Sequence, residues 1–202
     1  MRLLALILII GVTGDALAFR AGGHRIIAEI AWQQLDENRR AELAQLLKHH
    51  PRLQQDFIDK MPDSVGNGTQ EMKDHWLFLQ ASVWSDLARG FRNPDRGKYH
   101  RGTWHYINFP TYIDASHESV IDLSGVNRNT EFKGAFRDDP DFNIVQAIKA
   151  NLAGLRDTTR TKAERAVHLC WVLHLVGDAH QPLHATAMFT PRLFAKGDLG
   201  AT

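Results

Sequence analysis

Residues 174 to 184 read HLVGDAHQPLH, a stretch holding His174, Asp178, His180 and His184 at the end of one of the most apolar runs of the chain. Imidazoles and a carboxylate are poor burial candidates unless something satisfies them. His174 and Asp178 are four residues apart, so a helix puts both on one face, one turn apart. Gln181-Pro182 breaks that helix and lets His184 fold back toward Asp178. Imidazoles and a carboxylate converging at a helix end suit zinc. The same four residues could instead be an Asp–His hydrogen bond closing a helix terminus, with the histidines satisfied in the core. The local pattern leaves both readings open.

Composition favours a metal. The chain has 202 residues with 11 histidines and one cysteine, which points to nitrogen and oxygen ligands. Its length fits one domain, and 44% hydrophobic residues suffice for a core. The net charge of +1 gives no broad basic field of the kind that binds nucleic acid by counterion release. Cys170, within AVHLCWVLHLV, reads as a small buried hydrophobe.

The elements that must position these groups are helical. HRIIAEIAWQQL repeats Ile26, Ile27, Ile30, Ala31 and Leu35 at helical spacing and starts with His24. A second helix runs from about Glu37 to Lys48, before Pro51. DHWLFLQASVWSDLARGF is a third, with Asp86 and Arg89 near its end. FNIVQAIKANLAGL and TKAERAVHLCWVLHLVGDAH are two more, the last ended by Pro182. Loops are expected at 61–69, 92–102 and 114–141, and TWHYINFP is a strand or an extended loop carrying His105. With almost no strand periodicity, the class is all-α. At the start, Arg2, the apolar LLALILIIGV and Ala16-Leu17-Ala18 have the layout of a signal peptide over residues 1–18. The run is too short to span a membrane, so export leaves a mature domain, 19–202, with no membrane anchor.

GGHRIIAEIA, SVWSDLAR, TWHYINFP and HLVGDAHQPLH, in this order, resemble the secreted zinc-dependent single-strand nucleases and 3′-nucleotidases of the S-one/P-one type, in the phospholipase C/nuclease superfamily. The resemblance covers almost all of 19–202. It implies a mostly helical fold with three zinc ions in a cleft, and hydrolysis of single-stranded DNA or RNA, or of 3′-nucleotides, to 5′-phosphate products. It implies that Asp178 bridges a close zinc pair. Asp86, His105 and His174 complete one member; His24 and Phe19, through its free α-amino group and carbonyl, complete the other. His184 goes to a third zinc nearer the surface. Tyr106 matches a base-stacking position, and Arg89 a residue facing the phosphate. Close metals supply a nucleophile at neutral pH and polarise phosphoryl oxygens. A stacked base favours single strands.

Phe19 stands where the family has tryptophan, and Arg20 where it usually has glycine. The family's third zinc also takes a His-x-x-x-Asp pair from a downstream helix, whereas this chain ends at GDLGAT. The expectation is therefore a helical domain incomplete at its C-terminus, with two zincs and an incomplete third site. Two other functions are carried forward: a zinc phospholipase C, and an inactive, truncated zinc-binding relative. No protein partner is implied. Of the other histidines, His49 and His50 are expected at the surface, His180 in a supporting role, and His75, His100, His117 and His168 have no partner in the pattern.

Overall fold

The computed structural model describes residues 21–198. Phe19 and the 1–18 segment lie outside that range. Long helices dominate: α1 (Ala21–Gln34), α2 (Glu37–Leu47), α5 (Gln70–Leu87), α7 (Ile144–Arg156) and α8 (Lys162–Asp178). Short helical turns α3 (Leu53–Asp56), α4 (Asp63–Gly66), α6 (Asp95–Tyr99) and α9 (Pro182–Ala185) punctuate the connections. The expected all-α class holds, with 58% helix and 6% strand.

Local sequence explains where the long helices start. The Asp36 carboxylate accepts from the Arg39 N–H at 2.9 Å, capping α2, and Thr69 does the same for α5 from Met72. Asn143 with Gln146, and Thr161 with Glu164, form reciprocal capping boxes on α7 and α8. These caps fix the registers that aim Asp86 and the His174–Asp178 pair.

Helix α8 lies between two apolar clusters. On one side Trp32, Leu47, Phe57, Phe78 and Trp84 from α1, α2, the turn after α3, and α5 pack against Leu169 and Cys170. On the other, Trp104, Phe142, Ile144 and Ala147 pack against Trp171 and Leu175. An α8 buried on two faces explains its nearly continuous apolar run.

Several expectations are corrected. Pro182 does not end the long helix, which stops at Asp178; it opens α9 at the first-turn position that needs no N–H. TWHYINFP divides into a 3-10 turn at Gly102–His105 and the start of strand β1 (Phe109–Tyr112). This strand pairs in parallel with β2 (Thr186–Phe189), Phe109 opposite Thr186. On α1 the buried line is His24, Ala28 and Trp32, while Ile26 and Ile30 are 64% and 58% exposed. His50 is not at the surface: it is buried against the Phe57 and Trp84 rings, with centroids 4.9 and 4.5 Å away. Among the described residues, no helix is long and apolar enough to cross a membrane.

Candidate metal centre

Four separate elements deliver six of the expected side chains to one place. His24 comes from the first turn of α1, Asp86 from the end of α5, His105 from the 3-10 turn, and His174 and Asp178 from the last turns of α8. His184 comes from α9, which the 179–181 bend swings back; the β1–β2 pairing and the Ile107 N–H donating to the His184 carbonyl at 2.8 Å tie it to the His105 segment.

Asp178 is the focus. Its oxygens lie 2.9 Å from His105 Nδ1, 3.2 Å from His174 Nε2, 3.3 Å from His24 Nε2 and 3.8 Å from His184 Nε2. Asp86 closes the opposite side, 3.7 Å from His174 Nε2 and 4.0 Å from His24 Nε2. His24 and His174 stack at 4.0 Å, and His105 meets His174 edge-on at 4.8 Å. All but Asp86 are buried.

Burial alone would raise the Asp178 pKa, but the surrounding His174, His105 and His24 outweigh it and hold the carboxyl far below the usual range. Burial opposes the charge on His174 too, yet Asp178 and Asp86 raise it. Burial lowers His105 and His184, which favours neutral imidazoles.

The donors fit a cation. His174 Nε2 faces His105 Nδ1 at only 3.0 Å, so at most one proton fits between them. Four imidazole nitrogens face one carboxylate, and the buried His184 Nδ1 has no hydrogen-bond partner. Two groups have ligand atoms mutually within 4.8 Å: His24, Asp86 and His174, and His105, His174 and Asp178. An all-imidazole-and-carboxylate set suits zinc. The orientation of His174 is fixed from behind: its Nδ1–H donates to the Ser82 carbonyl at 2.8 Å, aiming Nε2 inward.

Other expected residues sit around this cluster. His184 lies within it, 6% exposed and beside Asp178, rather than nearer the surface. Arg89 is at the rim, Nη2 4.0 Å from Asp86 Oδ1, with its side chain 59% exposed. Tyr106, next to His105, lines an adjoining cleft of about 760 Å³ with Asn108, Asn143 and Lys196. In that cleft the buried Asn108 Oδ1 has no hydrogen-bond partner. His180 donates from Nδ1 to the Val176 carbonyl at 2.7 Å, closing the end of α8, in keeping with a supporting part.

Sequence reasoning missed three contributors. Gly177 lets α8 approach α1: a Cβ there would sit 2.6 Å from His24 Nδ1. Its place beside Asp178 in the motif was the available signal. The Ser82 carbonyl left no trace in side-chain chemistry. His100 lies where the charges of Arg89 and Asp86 reach it, though burial is the main cause of its lowered pKa.

The comparisons with known proteins agree with this geometry. The model of a family described as S1/P1 Nuclease matches residues 19–202. No match was found among curated proteins.

Proposed function

The chain belongs to the S1/P1 nuclease family, and from that premise we propose that it is a zinc-dependent phosphodiesterase cleaving single-stranded DNA or RNA to 5′-phosphate products, with 3′-nucleotidase activity. The family match carries the nuclease character and the nucleic-acid substrate. The convergence of His24, His105, His174 and His184 on Asp178 supports the zinc dependence.

In this reading His24, Asp86, His105, His174, Asp178 and His184 hold the metal, with Phe19 as a further ligand. Zinc there would polarise the phosphoryl oxygens and lower the pKa of water at the site. Arg89 is mobile enough at the rim to meet a phosphate and offset the charge that grows on it in the transition state. Tyr106 offers a face for one unstacked base. The unpartnered Asn108 Oδ1 offers that base an acceptor. A paired base cannot reach either group, which is the physical ground for a single-strand preference. The layout of residues 1–18 supports a secreted or periplasmic location.

The test offers the purified chain four substrates: a single-stranded oligonucleotide, the same sequence as a duplex, a 3′-nucleotide and phosphatidylcholine. Hydrolysis of the single strand well ahead of the duplex is expected. Turnover of the lipid alone would replace this reading with a phospholipase, and turnover of none would leave a metal-binding relative without activity.

A further inference from the structure

A second cleft, of about 350 Å³, is lined by none of the six clustered residues. Its walls include the rings of Tyr99, Trp104, Phe136 and Trp171, from four separate segments of the chain. Such a volume, lined mainly by rings with a few polar groups, is the usual form of a small-ligand site.

The polar groups are specific. His168 Nδ1–H donates to Asn151 Oδ1 at 2.9 Å, and Asn151 Nδ2–H donates in turn to the Ala147 carbonyl at 2.9 Å. This chain fixes the tautomer and leaves His168 Nε2 as a lone-pair acceptor. Burial and then Arg160 hold the His168 pKa down to about 4, so the ring stays neutral.

Not all the cations are spoken for. Arg101 is committed to Asp138 and to the Gly97 and His100 carbonyls. Arg160, by contrast, keeps a buried Nε–H without an acceptor, 3.6 Å from the nearer Asp157 oxygen and with only a long 3.4 Å contact from Nη1 to Glu164. Lys98 Nζ rests 5.0 Å from the centroid of the Tyr99 ring and forms no ion pair among the described residues. An aromatic floor, a neutral acceptor and two under-used cations describe a planar ring bearing an N–H donor and an anionic group.

We propose that this cleft is a separate binding site for a nucleoside monophosphate, the base lying on the aromatic wall and the phosphate meeting Arg160 and Lys98. The cleft itself calls for a planar anion; the choice of a nucleotide rests on the proposed nuclease reaction, whose products are nucleotides. Trp171 also packs against His105, with centroids 5.6 Å apart. Occupancy is therefore felt one residue from the metal centre.

Calorimetric titration of the zinc-loaded chain with 5′-AMP, adenosine and inorganic phosphate tests this. A second equivalent of 5′-AMP is expected beyond the one at the metal centre. Its affinity should exceed that of adenosine or phosphate by about 10-fold or more, since both halves of the ligand are held. Ala163→Trp fills the cleft and should abolish this second equivalent, with single-strand hydrolysis unchanged. The double variant Lys98→Met/Arg160→Met should weaken it about 10-fold without filling space. A single AMP site in the wild type, or a second site that survives both variants, would overturn the proposal. A chain that binds AMP in the cleft but hydrolyses no nucleic acid would leave the cleft standing and remove the reaction reading.

Discussion

Asp178 is the residue on which the metal centre depends, because four imidazoles face its oxygens while its own backbone closes the last turn of α8. Asp178→Asn keeps its shape and removes its charge. Bound zinc, measured by elemental analysis, should fall in this variant, and single-strand hydrolysis should drop by about 100-fold or more. Wild-type zinc content with wild-type turnover would remove Asp178 from the site. The His174–Asp178 pair was legible in the sequence because a four-residue step on a helix makes the two groups neighbours. His24, Asp86 and His105 were legible only through the family resemblance, since nothing local joins residues so far apart. His50 was misjudged for a related reason. Its place before Pro51 suggests a solvated helix end, yet Phe57 and Trp84 fold over it, which no local pattern records.

At the scale of elements, the centre exists because α8 and α1 approach closely. Gly177 permits that approach, since any Cβ would overlap the His24 ring at 2.6 Å. Gly177→Ala should therefore displace His24 and weaken zinc binding about 10- to 100-fold, the range seen when support of a ligand is lost. Far-ultraviolet circular dichroism should show the helices intact, and competition with a zinc indicator reads the affinity. Unchanged affinity would mean that His24 is not a ligand. The helices were legible from periodicity and caps, but their inward faces less so. The sequence suggests that Ile26 and Ile30 point to the core; in α1 that face goes to His24, Ala28 and Trp32, because the helix is oriented to serve the cluster. The β1–β2 pair joins segments more than seventy residues apart in sequence, and four-residue strands carry too little alternation to announce themselves.

Across the whole molecule, buried neutral histidines tie stability to pH. His50 is held down to about 3 and His168 to about 4, both chiefly by burial. In the unfolded chain each takes up a proton below about 6.5. Between that value and the folded ones the unfolded state binds more protons, so stability is full above pH 6.5 and falls as the medium acidifies. The contribution of His168 is spent near pH 4 and that of His50 near pH 3. His50→Leu should remove up to one proton, roughly 1.4 kcal/mol per pH unit, from the slope between pH 6 and 4. Urea unfolding with chelator present measures it, and a slope equal to wild type would contradict the assignment. The N-terminus makes a second whole-chain prediction. If the Phe19 α-amino group is a ligand, a form with one extra residue before it should bind less zinc and lose most of its activity. Full activity in that form would exclude the amine.

The most direct measurement is a zinc titration of metal-stripped protein, following hydrolysis of a fluorogenic single-stranded oligonucleotide at neutral pH. The cluster of His24, Asp86, His105, His174, Asp178 and His184 predicts no hydrolysis without metal. Activity should return as zinc fills the site, and it should not return in Asp178→Asn under the same titration. Hydrolysis that persists in chelator, or returns equally in the variant, would contradict a zinc nuclease built on these residues.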